Sequence, residues 1–142
     1  MSSRLSGRIS KAAGRLQRQK RIRPFSGRFW RRDIPKRPGV YAIWTLAAPD
    51  RPVYIGETAN LHERMRDLGS YRNHTFAKKV KATHHLATPP EVRSKISKTF
   101  LVSCIAVAFG RKEIEEALIV HWGTAARRGY NNPGSRRWRC DT

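Results

Sequence analysis

The 142 residues, 39% hydrophobic and 28% charged, are enough for one domain with a core of its own, because a chain of about 150 residues hides roughly 68–70% of its unfolded surface. Thirty Lys and Arg against 10 Asp and Glu leave a formal charge of +20, which points to a polyanionic partner, nucleic acid ahead of an anionic membrane surface. Cys104 and Cys140 lie far apart with no CxxC and no paired His spacing, which excludes a zinc ribbon or finger and a disulfide framework, and the longest apolar run, 101–109, falls far short of the ~20 residues that cross a bilayer.

Those features lead us to expect a soluble, cytoplasmic protein, and the distribution of charge suggests how it is divided. Residues 1–38 hold 13 basic residues and one acid, residues 127–142 five and one, and residues 39–126 a balanced 12 and eight. The expected organisation is a basic N-terminal arm, 1–37, a folded body, 38–133, and a basic tail, 134–142. In the arm, Leu5, Ile9, Ala12, Ala13 and Leu16 recur at helical spacing, while Gly7 and Gly14 weaken a helix. Such a segment either orders on a partner or serves as an Arg- and Ser-rich transit peptide, which leaves organellar targeting open. Its mostly small apolar residues suit a membrane-surface helix less well.

Pro35, Pro38 and Gly39 punctuate the start of the body. The alternation over 40–46 predicts a strand with Val40, Ala42 and Trp44 on one face and Tyr41, Ile43 and Thr45 on the other. A turn over 47–52 leads to a second strand at 53–55, and a hairpin is the economical pairing. Thr58 and Asn60 are candidate caps for a helix reaching about Leu68, stopped by Gly69 and Ser70. A second helix is expected over 76–85. Thr88, Pro89 and Pro90 then break it or open another short one. Residues 100–109 give the strongest strand signal, Gly110 ends it, and a helix follows over 111–122.

Two charged residues sit where apolar ones belong. On a wheel of about 100° per residue, Ile114, Leu118 and Trp122 form the apolar face of the last helix, with Ile119 at its edge. Glu115 falls between Trp122 and Ile119, whereas Glu113 and Glu116 fall opposite. A carboxylate turned toward a core must be paired, protonated or bound to a cation, so Glu115 is either a structural ion-pair partner or a metal or catalytic residue. On the earlier helix, Leu61, Met65 and Leu68 form the apolar face and Arg64 borders it. It can snorkel over apolar surface, partner Glu115, or hold a phosphate with its planar fork.

Gly39-Val40-Tyr41, then 53–58 reading Val-Tyr-Ile-Gly-Glu-Thr, then Asn60-Leu61 and Arg64, resembles the opening of the GIY-YIG nuclease family. Residues 115–119, Glu-Glu-Ala-Leu-Ile, resemble that family's metal-binding helix, and Gly129-Tyr130-Asn131 its closing asparagine motif. The resemblance covers about residues 38–133 with all five elements in order. It implies an α+β fold, a small three-stranded antiparallel sheet flanked by helices, in keeping with the strands and helices read from pattern.

Carried over by position, the resemblance makes Tyr41, Tyr54, Arg64 and Glu115 the catalytic residues of a divalent-metal-dependent DNA endonuclease. Glu115 would hold one Mg²⁺ or Mn²⁺ ion, a hard carboxylate for a hard ion. Tyr41, otherwise an ordinary strand aromatic, would activate a water, which requires its phenol to be lowered from about 10 by positive charge. Tyr54 would order the water, the phosphate or Tyr41, and Arg64 would meet the charge that develops on phosphorus. Asn131 would pin the C-terminal segment, with Asn132 a substitute. Several members carry a histidine one turn after the arginine, where this chain has Leu68. His74 is the nearby candidate for that role, although in its polar stretch it also reads as a solvated loop histidine.

For nucleic-acid binding, the arm interleaves Phe25, Phe29 and Trp30 with Arg23, Arg28, Arg31 and Arg32, and the tail sets Trp138 among Arg136, Arg137 and Arg139. Cations and stacking rings suit a phosphate backbone and its bases. The alternative for Phe29 and Trp30 is packing onto the sheet. DNA is the expected partner ahead of RNA, and the rival readings are a catalytically idle nucleic-acid-binding module and a basic RNA- or ribosome-associated protein.

Overall fold

The strand read at 40–46 is β1 (Gly39–Thr45), and it lies at the centre of a three-stranded sheet in the order β2-β1-β3. The structure is a computed structural model that describes residues 3–125 and 129–131. β2 (Pro52–Thr58) and β3 (Phe100–Ala106) both run antiparallel to β1. The β1–β2 hairpin pairs Tyr41 with Gly56 and Ile43 with Tyr54, and its register shifts between Ile43 and Trp44. β2 therefore extends three residues past the apolar run 53–55, because pairing with β1 carries Gly56, Glu57 and Thr58 into the ladder. The protein is mixed α+β with a small antiparallel sheet.

Both faces of the sheet are covered, so β1 is buried on both sides and reads as a nearly continuous apolar strand. On one face lie α1 (Ser3–Arg18) and α5 (Arg111–Trp122), packed on Val40, Ala42, Trp44, Ile55 and Ile105. On the other lie α2 (Leu61–Arg66), α3 (Thr75–Thr83) and α4 (Pro89–Thr99), around Tyr41, Ile43, Tyr54, Phe76 and Phe100. Gly39 is required at the start of β1, because any side chain there would run into the Ile105 carbonyl and the Leu61 methyl.

The N-terminal segment corrects the expectation of a piece that orders on a partner. Ile9, Ala12, Ala13 and Leu16 are buried, and the two alanines between the larger side chains let α1 lie close to the sheet. A buried relay fastens its end: Trp44 Nε1 donates to Ser103 Oγ at 3.0 Å, and Ser103 Oγ donates to the Leu16 carbonyl at 2.9 Å. Gly14 costs the helix about 1 kcal/mol relative to Ala, which complete burial of Leu16 offsets with roughly 1.5–3 kcal/mol. Beyond α1, Ile22 exchanges two backbone hydrogen bonds with Val102, at 2.8 and 2.9 Å, against the outer edge of β3.

α4 is a full helix of 11 residues, not a short one. Thr88 and Glu91 form a reciprocal capping box, and Pro89 and Pro90 occupy the first turn, where a missing N–H costs nothing. Val92 and Ile96 alone anchor it to the core. Among the described residues no helix is long and apolar enough to cross a membrane.

Candidate active site

Tyr41 stands in the middle of β1, and its cross-strand partner explains the glycine at the end of the Tyr-Ile-Gly run. The phenol ring lies flat over Gly56, so that a Cβ at position 56 would collide with the ring and its hydroxyl. Tyr54, two residues earlier on the same face of β2, brings its ring centroid to 6.1 Å from that of Tyr41.

His74 completes the pair and is not a solvated loop residue: it is 1% exposed. As N-cap of α3, its Nδ1 accepts the Phe76 N–H at 3.1 Å. The neutral ring therefore carries its proton on Nε2, which donates to the Tyr41 hydroxyl at 2.9 Å. Burial, aided by the Arg64 charge, pushes His74 down to about 3. The imidazole is thus a fixed, neutral donor to the phenol across the neutral pH range.

Arg64 comes from the last turn of α2, where Asn60 caps the helix by accepting the Glu63 N–H at 3.1 Å. The half-exposed guanidinium reaches the Asn73 carbonyl at 3.0 Å and lies beside Tyr41. Glu115, 8% exposed, faces inward from α5 while Glu116 is half-buried and Glu113 exposed, so the helix presents the acid that the wheel selected. Arg111 sets the start of α5 against the sheet through a 2.7 Å ion pair with Glu57.

The phenol's acidity runs against the sequence-based expectation. Burial raises Tyr41 well above its ordinary value of 10.0, Tyr54 and Glu115 push the same way, and Arg64 alone opposes them. Arg64 lowers the value, but desolvation wins, and the resting phenol is protonated.

Asn131 lies at the free edge of β2. Its Oδ1 accepts the Ile55 N–H at 2.8 Å and its Nδ2 donates to the Ile55 carbonyl at 2.9 Å, while the Tyr130 N–H reaches the Val53 carbonyl at 2.7 Å. Lys79 adds a bond from Nζ to the Asn131 carbonyl at 3.1 Å.

The structure thus brings Tyr41, Tyr54 and His74 together, with Arg64 hydrogen-bonded at Tyr41, Glu115 acting on the phenol through its charge, and Asn131 paired with Ile55. The arm arginines are dispersed. Arg23 Nε donates to the Ser97 carbonyl at 2.8 Å and Arg31 to the His62 carbonyl at 2.8 Å, while Arg28 and Arg32 flank the Phe29 ring at 5.4 and 5.1 Å. Phe29 is 63% exposed and does not pack on the sheet; Trp30 is half-buried against Phe25. Arg136, Arg137, Arg139, Trp138, Asn132 and Cys140 lie outside the described residues. Cys104 is a core thiol that burial pushes up to about 12, too high for a nucleophile.

As to a metal, no group of three His, Cys, Asp or Glu side chains is found among the described residues. The donor set is one buried carboxylate among phenols. That fits Mg²⁺ or Mn²⁺ shared between one carboxylate, substrate phosphate oxygens and water, and it does not fit an all-protein cage. No protein-family model, no characterised protein and no solved structure matches the chain.

Proposed function

We propose that the chain is a divalent-metal-dependent DNA endonuclease of the GIY-YIG type, hydrolysing phosphodiester bonds with Tyr41, Tyr54, Arg64 and Glu115. The observation that carries this reading is the hydrogen bond from His74 Nε2 to the Tyr41 hydroxyl, formed inside a cluster that also holds an arginine and a buried glutamate. A purely structural strand tyrosine needs no neutral histidine held in one tautomer. His74 supplies the partner that Leu68 cannot.

In this reading a substrate phosphate draws Arg64 off the Asn73 carbonyl, because a charge-assisted pair outcompetes a bond to a neutral oxygen. That movement uncovers Tyr41, which is 1% exposed at rest. Neutralising the Glu115 carboxylate removes one of the causes that keep the phenol protonated. Once uncovered, the phenol gives its proton to solvent, and the phenolate, held by the His74 N–H, takes the proton of the attacking water as the water oxygen bonds to phosphorus. Arg64 then faces the added negative charge on the phosphoryl oxygens, the phosphorus–oxygen bond to the leaving sugar breaks, and the leaving oxygen takes a proton from solvent. Held at Glu115, a divalent ion would supply Lewis-acid stabilisation of the leaving oxygen.

The rival reading is an idle nucleic-acid-binding module, favoured by the depth of Tyr41. Incubation of plasmid and branched DNA with Mg²⁺, Mn²⁺ or EDTA separates the two. We expect metal-dependent cleavage that falls at least about a hundredfold in Tyr41→Phe and in Glu115→Ala, the size expected for loss of a positioned acid–base group. Binding without cutting in either metal would overturn the nuclease reading.

A further inference from the structure

We propose that a basic groove between residues 23–30 and α4 holds a single-stranded segment of nucleic acid leading away from the cleavage site, an inference that rests on the nuclease reading for its direction. Arg23, Arg28 and Trp30 form one wall and Arg93 and Lys98 the other, around a cavity of about 490 Å³. A second cavity of about 220 Å³, lined by Tyr71 and Arg72, shares Phe25 and Arg93 with the first. No acidic side chain lines either cavity among the described residues. Arg28, Arg93 and Lys98 are exposed, and none has an ion-pair partner among those residues.

The groove is built, not an accident of loose chain. The Ile22–Val102 pairing and the Arg23–Ser97 bond hold its first wall against β3 and α4. Where the cavities join, Phe25 is held at φ 60°, a conformation bulky L residues rarely adopt. Its ring meets Arg93 directly above Gly69, where any side chain would strike both. Phe25 and Trp30 stand edge to face at 5.2 Å. Rings interleaved with cations match a single strand, whose bases offer their faces, better than a duplex, whose bases are already stacked.

Position supplies the direction. Tyr71 and Arg72 immediately precede Asn73, whose carbonyl holds Arg64, and His74, which holds Tyr41. Two Cα steps of 3.8 Å put Arg72 within about 8 Å of His74 along the backbone. From Pro89 to Lys98, α4 rises about 13 Å at 1.5 Å per residue, so the basic wall can follow a short stretch of backbone.

The test measures fluorescence anisotropy of a labelled oligothymidylate and of a blunt duplex of equal length, in EDTA over a range of salt, for the wild type and for Arg28→Ala/Arg93→Ala/Lys98→Ala. The triple variant should unfold at the wild-type temperature, lose at least about tenfold in oligothymidylate affinity, and lower the salt slope by about 2, at ~0.7 per lost contact. Its duplex affinity should change less than about threefold, since a duplex, with its bases already stacked, does not seat in the groove beside these cations. Unchanged oligothymidylate binding, or an equal loss on duplex, overturns the proposal. The two readings fail separately: a wild type that binds the oligonucleotide but cuts nothing with Mg²⁺ or Mn²⁺ sinks the nuclease alone, and a triple variant that binds normally beside a cutting wild type sinks the groove alone.

Discussion

On one face of β1, Val40, Ala42 and Trp44 meet α1 and α5 through apolar packing, a Trp44–Trp122 ring contact included, and one buried hydrogen-bonded relay. One residue along the same strand, Tyr41 and Ile43 meet Tyr54, His74 and Phe76, a cluster of rings with ionisable groups among them. Both faces are equally sealed, yet they take opposite demands from neighbouring positions. The first face stabilises the sheet by excluding water. The second is a core whose polar members are paired and whose acidities are displaced, which makes it the candidate site. The lesson is that a period-two strand can carry a scaffold and a site at once, provided that a helix layer covers each.

The largest effect that would break this contrast is loss of the scaffold layer. Deleting residues 1–32 removes Ile9, Ala12, Ala13, Leu16 and the Ile22 pairing. With roughly 1.5–3 kcal/mol for each large aliphatic side chain buried, the loss rivals the 5–15 kcal/mol that typically holds a domain together. The truncated chain should therefore lose cooperative thermal unfolding, which circular dichroism measures. A truncated protein that melts cooperatively near the wild-type temperature would show that α1 is a passenger and that the two faces are not equivalent layers.

The next effect belongs to the site face. Unfolded His74 takes up a proton near 6.5, whereas in the fold it resists protonation to about 3. Between those values the unfolded chain binds more protons, so stability present at neutral pH is lost as pH falls through 6.5 toward 3, at up to about 1.4 kcal/mol per pH unit. Urea denaturation at stepped pH should show that slope in the wild type and a shallower one in His74→Gln. Identical slopes would mean that the imidazole is not sealed under Tyr41.

The smallest effect is on α5, whose buried residues pack on the scaffold face. Glu116→Ala should leave cleavage intact and change stability by at most a few tenths of a kcal/mol, the size of a side-chain pairing on a helix surface. An inactive Glu116→Ala beside an active Glu115→Ala would turn the helix about 100° from the orientation in which Glu115 is buried.

What local pattern encodes was legible. The bounds of α5 follow from Gly110, the apolar spacing and Gly123, both glycines taking left-handed φ. The inward turn of Glu115 follows from the same spacing. α4 was visible only in part, since Val92 and Ile96 make a thin apolar stripe; its readable signal was Thr88 followed three residues later by Glu91. His74 was legible as a candidate but its burial was not, because that depends on α3 folding back over Tyr41, and polar neighbours such as Asn73 and Thr75 gave no sign of it. Nor was the direction of the Tyr41 shift, which is decided by depth in the fold and not by the presence of Arg64. The arm was misjudged because basic residues dominate its composition, while the residues that fold it are two alanines, an isoleucine and a leucine.

Asn131 does more than anchor a tail. Its carboxamide presents to Ile55 the same acceptor and donor that the main chain of an additional strand would present. At the opposite margin, Ile22 fills the corresponding place on β3. A sheet of three strands has two open rims for every interior strand, and each rim is a template on which a second copy could grow by continuing the ladder. Here the Asn131 side chain and the Tyr130 N–H on one rim, and the Ile22 bridge on the other, occupy ladder positions that an added strand would need.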